Sequence, residues 1–129
     1  MIESRLDAGR RGEDLALEHL IRRGYRLLQR NFRFRRGEID LIVQAPEGDW
    51  VFVEVKSSRQ DAAGDPAGWV TPRKQRQIQR VAQGYCLQHG GPDRPMRFDV
   101  VGVDLEARNG TGIRHIPNAF LPEGAAYFR

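Results

Sequence analysis

Between Gly37 and Lys56 the chain reads G-E-I-D-L-I-V, a turn, then W-V-F-V-E-V-K. Two short apolar runs joined by the turn residues Ala45–Asp49 (A-P-E-G-D) predict a β-hairpin. Successive strand side chains point to opposite faces. In the first strand Ile39, Leu41 and Val43 are therefore expected on one face, with Glu38, Asp40 and Ile42 on the other. In the second, Val51, Val53 and Val55 oppose Phe52, Glu54 and Lys56. A charge left buried and unpaired in such a run costs on the order of several kcal/mol. A fold carries Asp40, Glu54 and Lys56 there when something polar binds between them, or when they pair only with one another.

The rest of the chain supplies elements to surround this hairpin. Ser4 to Arg23 reads as a helix with Ser4 as N-cap, Asp7 three residues on, and Gly24 as the stop. Leu6, Gly9, Gly12, Glu13, Ala16, Leu17 and Leu20 fall on its inward face. The two glycines predict close approach of another backbone, since each weakens a helix by ~1 kcal/mol relative to Ala. Tyr25 to Phe34 reads as a strand with a break near Asn31. A loop is expected over about 57–69, and a second helix opens at Thr71-Pro72 and closes by Gly90-Gly91-Pro92. Ile78, Val81, Ala82 and Tyr85 form its inward stripe. Met96 to Val103 is a buried strand carrying Asp99, which either accepts from backbone or Arg donors or assists the site electrostatically. Ile113 to Ile116 is a short last strand, and an irregular tail over about 117–129 offers Phe120, Tyr127 and Phe128 for packing.

A chain of 129 residues is expected to form one domain, 1–129, with a core that needs no staples. Its single cysteine, Cys86, excludes an internal disulfide framework and a cysteine-cluster metal site. No apolar run approaches the ~20 residues that span a bilayer, and the first residues lack a hydrophobic signal region. A cytoplasmic protein without a membrane partner is the expectation. The formal charge of +4 and pI near 9.8 favour a polyanionic partner. Lysine occurs only at positions 56 and 74; every other basic side chain is arginine.

Asp40 and Glu54 supply hard oxygen ligands of the kind Mg²⁺ prefers, with Mn²⁺ as a substitute. Lys56, two residues beyond the second acid, points to the same side of the strand and could serve an attacking water or steady developing phosphorane charge. Glu13 is either a rim carboxylate paired with an arginine or a third acid aimed at the same place. Zinc fits poorly, because His19, His89 and His115 are scattered. Arg33, Arg35 and Arg36 crowd the turn before Gly37, where they form a solvated loop or contact phosphates. Arg73, Arg76 and Arg80 share one helix face and read as a solvated stripe, whereas Lys74 and Gln75 lie where they could reach the sheet edge.

Five stretches then carry a family resemblance: G-R-R-G-E-D-L-A (9–16), N-F-R-F-R-R-G-E-I-D-L-I (31–42), V-F-V-E-V-K (51–56), V-T-P-R-K-Q (70–75) and R-F-D-V-V-G-V (97–103). Together they resemble the YraN-like family of small bacterial proteins, related to Holliday junction resolvases and other PD-(D/E)XK nucleases. The resemblance implies an α/β, restriction endonuclease-like mixed central sheet flanked by helices, with core order α-β-β-β-α-β. It implies a Mg²⁺-dependent endonuclease hydrolysing DNA phosphodiester bonds, at branched or otherwise structured DNA, and a homodimer by kinship with resolvases. The alternative is a non-catalytic nucleic-acid-binding or adaptor module on a nuclease scaffold. Asp40, Glu54 and Glu13 take the place of metal-binding acids and Lys56 that of the catalytic lysine, with Gln75 and Glu38 as auxiliary residues beside them. Arg33, Arg35, Arg36, Arg59, Arg73 and Lys74 are the expected nucleic-acid contacts. The superfamily's proline before the first acid is Ile39 here, and the arginine often found two residues after the lysine is replaced by Ser58.

Overall fold

The Ser4 hydroxyl accepts a hydrogen bond from the Asp7 amide (3.1 Å) and starts the first helix, α1 (Arg5–Arg22). At its far end Gly24 adopts φ +89°, which lets the Tyr25 amide donate back to the Leu20 carbonyl (3.1 Å) and end the helix. Thr71 caps the second helix, α2 (Pro72–Gln88), through the Lys74 amide (3.2 Å), with Pro72 in the first helical position. A computed structural model of the chain describes residues 2–58, 66–91, 93–107 and 112–121. Its strands are β1 (Arg26–Phe34), β2 (Gly37–Gln44), β3 (Trp50–Ser58), β4 (Met96–Asp104) and β5 (Ile113–Ile116). The sheet runs β1-β2-β3-β4-β5; β3 and β4 are parallel and every other neighbouring pair is antiparallel. This is the expected restriction endonuclease-like α/β arrangement, with α2 as the crossover between the two parallel strands.

Each sheet face buries a separate core. Ala16 and Leu20 of α1 pack on Leu41, Val43, Val51, Val53, Val101 and Val103. Ile78, Val81, Ala82 and Tyr85 of α2 pack on Phe32, Ile39, Ile42, Phe52, Phe98 and Val100. Phe120 stacks on Phe98 at 5.2 Å, as its place in the tail predicted; Tyr127 and Phe128 lie outside the described residues. Close approach of α1 depends on Gly12, where a Cβ would collide with Ser57 Oγ of β3.

The structure departs from the sequence reading in four places. Leu6 is 66% exposed and packs in neither core. Gly9 meets nothing within 4 Å and borders a cleft instead of a neighbouring backbone. Ser57 and Ser58 are not loop: they continue β3 opposite Val103 and Asp104, and Pro66–Trp69 forms a 3-10 turn. Strict alternation in β2 also fails. Ile39 and Ile42 join the α2-side core while Leu41 joins the other. The cause lies opposite on β1, where Asn31 takes φ +50° and the ladder runs from Arg30↔Leu41 to Phe32↔Ile39 without an Asn31–Asp40 pair.

Candidate active site

The irregularity at Asn31 and the end of the β2–β3 ladder meet at Asp40. The register between β2 and β3 runs from Gln44↔Trp50 to Leu41↔Val53 and stops there. Beyond that point the Val55 amide loses a strand carbonyl as acceptor, and the Asp40 carboxylate takes its place: Val55 N donates to Asp40 Oδ2 at 2.8 Å. Asp40 thus sits in the fork between two strands, without a ladder partner on β1 or β3. It faces a cleft of about 330 Å³ beneath α1, which Gly9, Glu13, Val55 and Ser57 also line.

Glu54 occupies the other side of the fork, only 5% exposed. Its Oε2 lies 3.8 Å from Lys56 Nζ and 3.8 Å from Lys74 Nζ. The only two lysines in the chain therefore stand on one carboxylate, brought together from β3 and α2. Burial pushes the Asp40 carboxyl up to about 8, helped by the Glu54 charge and by a hydrogen bond to Glu54, and opposed by the Val55 amide. Asp40 is thereby biased towards its protonated form at neutral pH.

Glu13 reaches the same cleft from α1. Its carboxylate accepts from Asn31 Nδ2 (3.1 Å) and from the Arg30 guanidinium (3.4 Å). Burial first, and the Asp40 charge after it, raise its pKa, while Asn31 and Arg30 lower it. Glu13 is thus paired with an arginine and also lines the cleft that Asp40 faces. Asn31 Nδ2 also donates to Glu38 (2.9 Å), whose other oxygen takes Arg33 Nε (3.3 Å), so Glu38 stands one hydrogen-bonded step behind Glu13. Gln75, next to Lys74 in the chain, donates from its Nε2 to the Val70 carbonyl (2.9 Å) and pins the entrance to α2. Among the described residues no three His, Cys, Asp or Glu side chains stand together as a ready ligand set.

The expected phosphate contacts divide. Arg33 is engaged by Glu38, and Arg35, at φ +56°, lies over the Phe34 ring. Arg36, Arg73 and Lys74 line one groove with Arg76 and Arg80. Arg59 lies outside the described residues. Sequence reasoning missed Arg30, which carries no signal beyond being a polar residue in a strand, and saw in Asn31 only a break in the strand and not a partner of Glu13. It also set aside Arg76 and Arg80, although their helical spacing from Arg73 was visible.

Asp99 belongs to a different network. It accepts from Arg97 (2.9 Å twice), His115 Nε2 (2.7 Å) and the Asn118 amide (3.0 Å), so its predicted arginine and backbone partners are present. It pairs in register with Val53 and ties β4 to β5 and the following turn. No helix among the described residues is long and apolar enough to cross a membrane.

The model of a family described as Uncharacterised protein family UPF0102 matches residues 12–103, a span that encloses Glu13, Asp40, Glu54, Lys56 and Lys74. The chain belongs to this family. A UPF0102 protein of Pelobacter propionicus is 44% identical over 115 residues, covering 88% of this chain and 82% of its own. Another, from Symbiobacterium thermophilum, is 46% identical over 112 residues, covering 87% of this chain and 94% of its own. The YraN-like resemblance is borne out at the level of the family. Among solved structures, Pyrococcus furiosus SfsA in complex with Ca²⁺ is similar at a TM-score of 0.31 and 15% identity, covering 91% of this chain and 64% of that one, too slight a likeness to argue from.

Proposed function

We propose that this UPF0102 protein is a divalent-metal-dependent endonuclease that hydrolyses phosphodiester bonds in DNA, with Asp40, Glu54 and Lys56 as its catalytic group. One observation carries the reading. At the strand fork Asp40 and Glu54 are hydrogen-bonded to each other, and both lysines of an otherwise all-arginine chain stand on Glu54. Two acids drawn together in the fold are costly for a purely structural purpose and suited to a bound cation.

The donor set fits a hard ion that keeps most of its waters, such as Mg²⁺ or Mn²⁺: two carboxylates converge, and Glu13 stands across the cleft. Asp40 and Glu54 would hold it, with Glu13 reaching it through solvent. When bound, the ion supplies charge neutralisation at the phosphate and a lowered pKa for water. The chain's own residues do the rest. Lys56 Nζ, 41% exposed, is free to turn from Glu54 towards a phosphate oxygen and donate to the charge that builds there. Lys74, 3.8 Å from Glu54, closes the α2 side of the fork. The Val55 amide fixes the orientation of Asp40, and Asn31 that of Glu13.

A non-catalytic nucleic-acid-binding module is the second reading, favoured by the lack of a three-residue ligand set among the described residues. Thermal unfolding with Mn²⁺ or Mg²⁺ separates the two. The nuclease reading expects millimolar metal to raise the midpoint of wild type and not of Asp40→Asn or Glu54→Gln. An unchanged wild-type midpoint favours the binding module.

A further inference from the structure

We infer that the groove along α2 is a track for one phosphate strand of duplex DNA, delivering it to the acid pair at the helix's N-terminal end. The inference rests on the nuclease reading for its choice of nucleic acid but not on cleavage. The groove, about 510 Å³, is lined by Arg36, Thr71, Arg73, Lys74, Arg76, Gln77 and Arg80, with no acid and no apolar side chain among them. A membrane-surface site would need apolar residues to insert, and there are none here.

The groove is built by two elements locked together. Gln77 Nε2 donates to the Arg36 carbonyl (3.0 Å), fixing the β1–β2 turn against α2. Gly37 lets that turn close in, since a Cβ there would strike Val81 and Gln77. Arg36 and the α2 arginines are thereby held as facing walls. Among the described residues Arg36, Arg73 and Arg80 ion-pair with no carboxylate. Arg73 and Lys74 also occupy the first turn of α2, where the helix dipole disfavours cations, and that turn carries no acid. An arrangement that concentrates positive charge against the dipole, in a groove with no acid among its lining residues, is complementary to an external anion.

Spacing favours a polymer over a small phosphate. Arg73 and Arg80 are seven residues apart, about 10 Å along a helix, which spans roughly three phosphates of one strand at ~3.4 Å each along the duplex axis. Lys74 joins the track to the site, because its ammonium stands both in the groove and 3.8 Å from Glu54. A strand lying on Arg80, Arg76 and Arg73 arrives with its next phosphate at the strand fork.

Fluorescence anisotropy with a labelled 20-base-pair DNA duplex, over a range of salt, tests this. Each phosphate contact contributes about 0.9 to the slope of log affinity against log salt. The triple variant Arg73→Gln, Arg76→Gln, Arg80→Gln is expected to lose about 2 to 3 from that slope and at least about tenfold in affinity at low salt. A charge-matched control, Arg10→Gln, Arg23→Gln, Arg26→Gln, removes three exposed arginines from α1 and its neighbourhood and is expected to retain the wild-type slope within about 1. Equal slopes for the groove variant and wild type, with both folded by their thermal midpoints, overturn the inference. So does an equal loss in the control, which would make the effect one of net charge. DNA that is bound through the groove and never cut refutes the nuclease reading alone; DNA that is cut equally well by the triple variant refutes the groove alone.

Discussion

The Val55 amide donates to Asp40 Oδ2 at 2.8 Å, a side chain taking the place of a strand carbonyl where β2 and β3 part. The same carboxyl, raised from 3.8 to about 8, is protonated in the folded chain at neutral pH and ionised when unfolded. Between those values the folded state binds the extra proton, so stability falls as pH rises from about 4 to about 8. Asn at position 40 can still accept from Val55 and donate to Glu54. Asp40→Asn is therefore expected to raise the thermal midpoint by several degrees at pH 9 and much less at pH 5. A pH-independent difference would show that the fold does not hold Asp40 protonated.

Asp99 makes the opposite prediction. It is 1% exposed and its hydrogen bonds from His115 and Arg97 hold its carboxyl below the usual range against the effect of burial. Its stabilising contribution is present above the ordinary carboxylate range and is lost as pH falls through the depressed value. Asp99→Asn removes the charge that Arg97 needs and should cost about 3–5 kcal/mol in urea unfolding at neutral pH. DNA affinity should not change in conditions where the variant is folded, because none of the network's residues lines the α2 groove or the cleft beside Asp40. A loss below about 1 kcal/mol would mean that Arg97 is satisfied by Glu47 and Tyr25 alone.

The two glycines of α1 are expected to differ in sign. Gly12→Ala drives a methyl into Ser57 Oγ and should destabilise by about 1–3 kcal/mol. Gly9→Ala meets open space and should stabilise by up to about 1 kcal/mol through helix propensity. Chemical unfolding of both variants checks the pair; a neutral Gly12→Ala would mean that α1 shifts freely on β3.

The element order, both helix caps and the inward stripe of α2 were legible because they depend on local chemistry. Ser4, Gly24 and Thr71-Pro72 act within a few residues of themselves. The two strands carrying Asp40, Glu54 and Lys56 were legible for the same reason, as was the odd placement of charge within them. The geometry of the fork was not. It depends on Asn31 adopting a left-handed conformation on a neighbouring strand, which slips the alternation of β2 and turns Asp40 towards α1. Lys74 could be placed on the correct side of α2 from helical periodicity, but its contact with Glu54 needs the crossover geometry. Gly9 and Gly12 looked equivalent by spacing; only what faces each in the fold, open space or Ser57, distinguishes them.

Cleavage is the most direct measurement of the central claim. Purified protein is incubated with Mg²⁺ or Mn²⁺ and linear, flapped and four-way branched DNA, alongside Lys56→Ala and Glu54→Gln. The account predicts product from wild type with at least one of these substrates, none when metal is chelated, and a loss of about 10²-fold or more in either variant with DNA binding retained. Wild-type protein that binds DNA and metal yet yields no product, or product that survives both substitutions, would contradict it.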